Sequence, residues 1–107
     1  MSIHLVHNVY FTLKEPTTAN IEGLIAACHK YLPHHDGVVY YSAGTLCDDL
    51  RREVNDVGFH VGLSVVFKDR AAHDVYQVSA NHKKFIEECK EGWAKVRVFD
   101  SNATTGA

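Results

Sequence analysis

Residues 3–14 alternate in a way that suits an extended chain. Ile3, Leu5, His7, Val9, Phe11 and Leu13 project to one side, and His4, Val6, Asn8, Tyr10, Thr12 and Lys14 to the other. A period of two predicts a strand with unlike faces. Glu15-Pro16-Thr17-Thr18 stops it, because proline lacks a donor and fixes φ, and Thr18 is the expected helix N-cap. The period then lengthens. Ile21, Leu24, Ile25, Cys28, Tyr31 and Leu32 recur at helical spacing as one apolar stripe, with Glu22, His29 and Lys30 off it. Pro33 ends that helix at about residue 32, and His34-His35-Asp36-Gly37 reads as a turn.

Residues 38–46, rich in Val and Tyr, predict a second strand. Residues 47–57 are charged and irregular and predict a solvated loop. A third strand follows over 59–68, with Phe59, Val61, Leu63, Val65 and Phe67 on one face and His60, Gly62, Ser64 and Val66 on the other. Asp69 can cap a helix carrying Ala72, Val75 and Tyr76. A second helical piece from about Asn81 carries Phe85, Ile86 and Cys89, and Gly92 is a C-terminal stop. Trp93 to Phe99 is the fourth strand, and 101–107 is expected to be a frayed tail. The order β-α-β-β-α-β is the α+β, ferredoxin-like arrangement, an antiparallel four-stranded sheet with helices on one face.

The chain has 107 residues, which suits one domain over residues 1–100. A hydrophobic fraction of 46% and a charged fraction of 22% are ordinary for a packed domain. The net charge of −2 supplies no basic field for a phosphate backbone, which disfavours nucleic acid. The first residues show no charged-then-apolar leader, and no apolar run approaches the ~20 residues needed to span a bilayer. Cys28, Cys47 and Cys89 are odd in number and irregularly spaced, against a disulfide framework or a zinc site. The expected setting is the cytoplasm.

The second face of the sheet lacks the Lys, Glu and Arg that water would favour. It carries His4, Val6, Asn8 and Tyr10 on the first strand and His60, Gly62, Ser64 and Val66 on the third, with Lys14 and Lys68 at the ends. A neutral face of this kind predicts a homodimer, sheet against sheet about a two-fold axis. An exposed, weakly polar sheet in a monomer is the alternative.

Four segments in order resemble the stress-responsive α/β-barrel (Dabb) family. They are His7-Asn8-Val9-Tyr10-Phe11-Thr12-Leu13-Lys14-Glu15, the third strand from Gly58 to Asp69, the Tyr76-to-Phe85 segment, and Val96-Arg97-Val98-Phe99-Asp100. The resemblance covers about residues 3–100 and implies a dimeric α+β barrel. In the family's plant olivetolic acid cyclase, an intramolecular aldol closure uses a histidine base and a tyrosine that polarises the substrate. The resemblance places those roles on His82 and Tyr76, and a further pocket histidine on His7. The cyclase's third-strand histidine falls on Val61. His60 is one position away, hence on the opposite face, and is not carried over. Ser79 and Ala80 stand where the family has histidine and proline, so the pocket wall differs.

The residues themselves point to a pocket. His7 sits among apolar neighbours on the helix-covered face and is a candidate proton acceptor, or a hydrogen-bonded core histidine. His82 begins a helical piece beside Phe85, and Tyr76 lies on a helix stripe. Each has a structural alternative, as a cap or as core packing. Val61, Leu63, Phe85 and Ser79 are the expected ligand-binding wall. His29 and His73 look helical and exposed. No His, Asp or Glu set has a metal-ligand spacing, so neither metal nor cofactor is expected. Three functions remain. The first is a protein that binds a small apolar or aromatic molecule. The second is a cofactor-free enzyme, cyclase-like or monooxygenase-like. The third is a structural oligomer.

Overall fold

The computed structural model describes residues 3–106. Its elements are β1 (His4–Leu13), α1 (Thr18–Tyr31), β2 (Val38–Thr45), β3 (Val61–Phe67), α2 (Arg70–Gln77), α3 (Ala80–Cys89), a 3₁₀ turn (Lys90–Gly92) and β4 (Trp93–Ala103). The four strands lie in the order β2-β3-β1-β4, and every neighbouring pair is antiparallel. This is the ferredoxin-like order that the pattern predicts. No helix among the described residues is long and apolar enough to cross a membrane.

Alternation becomes burial on the two central strands. Leu5, His7, Val9, Phe11 and Leu13 of β1, and Val61, Leu63, Val65 and Phe67 of β3, are buried beneath the helices, and their sequence neighbours are not. Leu24, Cys28 and Tyr31 of α1, Ala72 and Tyr76 of α2, and Phe85 of α3 close over them. Each fully buried apolar side chain contributes about 1.5–3 kcal/mol. Tyr31 keeps its hydroxyl satisfied by donating to Glu88 at 2.6 Å, which ties α1 to α3.

Each helix starts on a side-chain oxygen that accepts from a free backbone N–H, as helix N-termini require. Thr17 accepts from Asn20 at 3.1 Å, Asp69 from Ala72 at 2.9 Å and Ser79 from His82 at 3.1 Å. The first cap is one residue earlier than the Thr18 predicted. The loop between β2 and β3 is pinned. Asp56 pairs with Arg97 of β4 at 2.6 Å, Thr12 donates to the Gly58 carbonyl at 2.8 Å, and Leu13 N–H donates to Nδ1 of His60 at 3.0 Å.

Three further expectations change. β3 begins at Val61 rather than residue 59. β4 continues to Ala103, because Ser101, Asn102 and Ala103 pair with Val6, Leu5 and His4. The expected tail therefore shortens, and position 107 lies outside the described residues. Val75 is 65% exposed. The short α2 buries only Ala72 and Tyr76, four apart, and Val75 is turned about 100° from Tyr76 by the helical period.

Gly37 closes the turn into β2 with φ of +87°, and a Cβ there would lie 2.5 Å from that of Ala72. Its carbonyl accepts from Lys68 N–H at 2.8 Å, which fixes the start of β2 against the end of β3. Gly37→Ala is expected to cost about 1–3 kcal/mol, through left-handed strain and overpacking. Urea unfolding checks this, and an unchanged midpoint would mean that the turn relaxes freely.

Candidate functional site

β1, α2 and α3 bring His7, Tyr76 and His82 to one cavity of about 160 Å³. Its apolar wall includes Val9, Phe11, Leu63, Phe85, Trp93 and Val98. The Tyr76 and His82 rings are 4.8 Å apart at 63°, and His7 and Tyr76 are 6.1 Å apart at 72°. α2 ends at Gln77 with Val78 as its cap and Ser79 caps α3, so the bend between these helices sets the Tyr76–His82 pair. Leu63 and Phe85 stand on the cavity wall. Val61 is fully buried in the core instead. The Ser79 hydroxyl is occupied with the cap and with His35.

Nδ1 of His82 is buried without a hydrogen-bond partner. Burial holds the His82 imidazole below its ordinary value of 6.5, and His7, His35 and His73 push the same way by charge. His82 is therefore neutral at neutral pH, and Nδ1 is left without a partner. Burial raises the Tyr76 phenol above its ordinary value, with smaller contributions from Cys28 and Tyr41. Tyr76 therefore stays protonated, a phenol able to donate a hydrogen bond.

Three neighbours escaped the sequence reading. His35, expected only as a turn residue, packs its ring 5.0 Å from Tyr76. Its Nδ1 bonds the Leu32 carbonyl at 3.0 Å and its Nε2 the Ser79 hydroxyl at 2.9 Å. The carbonyl can only accept, so Nδ1 carries the hydrogen. Asp100 pairs directly with His7 in the β1–β4 register, and its carboxylate lies 2.5 Å from Nδ1 of His7. That carboxylate fixes the His7 ring and leaves Nε2 as the other ring nitrogen. His73, expected to be exposed, is half-buried because its ring packs edge-on against Phe67 of β3 at 5.6 Å. Its ring is 5.3 Å from that of His7. The signal for His73 was present, since it lies three residues before Tyr76 and so on the same side of the helix.

Two other concavities flank this site. One of about 530 Å³ lies between α1 and the end of α3, lined by Leu24, Ala27, Glu88, Glu91 and Trp93 among others. It is larger, but it holds none of the three residues and opens to solvent between helices. The other, about 340 Å³, lies on the open sheet face under the 46–60 loop, against Tyr10, Phe59 and Phe99.

A family model described as the stress-responsive A/B barrel domain matches residues 5–103. No curated protein sequence matches significantly. Among solved structures, a Dabb family protein with a ferredoxin-like fold from Mesorhizobium loti superposes with a TM-score of 0.78 at 21% identity, covering 96% of this chain and 99% of that one. The hydroxynitrile lyase of Passiflora edulis gives 0.77 at 20% identity over 97% of this chain and 96% of its own. A dimeric ferredoxin-like protein of unknown function from Thermobifida fusca gives 0.79 at 12% identity over 96% and 93%. At these identities the likeness is one of fold.

Proposed function

The chain belongs to the stress-responsive A/B barrel domain family, and from that premise we propose that it is a homodimer holding a small apolar or aromatic molecule between sheet and helices. The observation that carries the ligand is a largely apolar cavity of about 160 Å³ lined also by Tyr76, His82 and Trp93, with Nδ1 of His82 and Nε1 of Trp93 buried and unpartnered. Apolar walls supply affinity and a few polar groups supply orientation. An apolar cavity of ~150 Å³ takes up benzene, so the ligand is about one ring in size.

The open face of the sheet supports the dimer. Tyr40 and Phe99, 57% and 54% exposed, stand there with Tyr10, Val6 and Val66. His4, His60 and Ser64 complete the expected contact. The Thermobifida fusca neighbour is described as dimeric. Native mass spectrometry is expected to give two chains, and Val66→Glu a monomer, because a carboxylate would be forced into an apolar contact. A wild-type monomer would overturn the dimer. Trp93 is the chain's one tryptophan and lines the cavity. Saturable quenching of its fluorescence by acetophenone, weakened in His82→Ala, is the expected ligand result. Quenching that never saturates would sink that reading.

A second reading, cofactor-free proton transfer on a carbonyl compound, is favoured by the adjacency of a neutral imidazole and a protonated phenol. The hydroxynitrile lyase neighbour suggests a cyanohydrin as the test substrate. His82 would take the hydroxyl proton as the C–CN bond breaks and C=O forms. The proton would then leave with cyanide as HCN. The Tyr76 hydroxyl would bond the substrate oxygen, where charge develops.

A further inference from the structure

His7 of β1, His73 of α2 and Asp100 of β4 converge at one end of the cavity, and among the described residues one ligand atom from each lies within 4.8 Å of the others. We propose that these three side chains bind a divalent transition-metal ion of the zinc and cobalt class, with water completing the coordination. This goes beyond the ligand reading above and does not depend on it, since neither Tyr76 nor the orphaned nitrogen of His82 takes part.

The donor set is the first reason. Two imidazoles and one carboxylate suit first-row divalent ions, and three protein ligands leave a position for water. The placement is the second. His7 and Asp100 are direct cross-strand partners, so their side chains share a face. His73 reaches that face from the helix above. The spread of 4.8 Å must contract for metal–ligand distances of about 2.0–2.2 Å. Asp100 can supply this movement, because its side chain is 43% exposed on an edge strand, whereas the His7 side chain is held at 6%.

The surroundings are the third reason. Asp74 bonds Nδ1 of His73 at 2.9 Å. A carboxylate there keeps the hydrogen on Nδ1 and directs Nε2 to the ion, as outer partners of metal-bound histidines do, and only a long 3.5 Å contact from the Gln77 amide must be displaced. Phe67 packs against the rings of both histidines, at 6.4 Å and 5.6 Å, and dries that side of the site. Arg70 is the nearby cation, and its guanidinium is paired with Asp74 at 2.8 Å. The Asp100 carboxylate lies 2.5 Å from Nδ1 of His7, so this pair must part to admit an ion.

The test uses untagged full-length protein stripped with a chelator and then titrated with Co²⁺ alone, followed by visible d–d absorption. The expected result is a saturable spectrum at one ion per chain. Affinity should fall at least roughly tenfold in Asp74→Asn, with losses at least as large in His73→Ala and Asp100→Asn. His34→Ala, in an exposed turn, should bind as the wild type does. Asp100→Asn is nearly isosteric and guards against a fold defect in His73→Ala. Zn²⁺ should also raise the wild-type unfolding temperature and leave that of Asp100→Asn unmoved. No saturable spectrum, or one unchanged in both ligand variants, would overturn the site and leave a hydrogen-bonded relay that orients His7.

Discussion

His82→Ala is expected to slow cleavage of a cyanohydrin such as mandelonitrile by roughly 10²–10⁴-fold, the usual loss of a positioned general base. The imidazole is half-buried and its Nδ1 is unpartnered. Removing it therefore breaks no hydrogen bond of the ring, and the backbone bond to Ser79 persists. Tyr76→Phe keeps the packing and removes only the phenol, so it should lower the rate without changing the fold. The acid limb of the rate profile should fall below the ordinary 6.5, since burial depresses His82 first and the neighbouring histidines add to it. The same shift has a stability sign. The unfolded chain takes up this proton at higher pH than the folded one. The contribution of His82 is therefore present above 6.5 and lost as pH falls through the lower folded value. Stopped-flow assays across that range decide the matter. Equal rates for wild type, His82→Ala and Tyr76→Phe would reject proton transfer and leave simple binding.

Phe67→Ala should be the most damaging single change in the core, at about 3–5 kcal/mol. Phe67 has no exposed surface. Its ring lies 4.9 Å from Tyr76 and 5.6 Å from His73. The deletion leaves a void under the helices with nothing long enough to fill it. Against a total of about 5–15 kcal/mol for a small domain, that loss is a large share. Urea unfolding should show an earlier midpoint with an unchanged slope. The vacancy also frees the Tyr76 and His73 rings, so metal and ligand affinities should weaken together. A loss under about 1 kcal/mol would mean that the core collapses onto the gap.

The sheet could be read from the chain because its inner strands contact the core on one face only. The alternation of Leu5, His7, Val9 and Phe11, and of Val61, Leu63, Val65 and Phe67, became the buried set, but it failed at its ends: Ile3 is 56% exposed and Phe59, ahead of β3, packs on Tyr10 of the open face instead. Of the candidate site, His7, Tyr76 and His82 share one cavity. Their neighbours were harder to see. Asp100 meets His7 only through the β1–β4 register, which no local spacing encodes. His35 reaches Tyr76 because α1 ends at Tyr31 and folds the turn back under α2. Ser101 to Ala103 look like a tail by composition, yet they pair because β1 is long enough to receive them.

That last pairing has a mechanical consequence. β1 and β4 are antiparallel neighbours, and His4 lies opposite Ala103, so the two ends of the domain leave from adjacent rungs of one ladder. Tension applied at both ends would load the hydrogen bonds one rung at a time, beginning at His4 and Ala103, as a zipper is drawn. It would not load them together in shear. Because Asp100 sits opposite His7 only three rungs in, a modest pull would part this pair well before the helices lose their grip on the sheet.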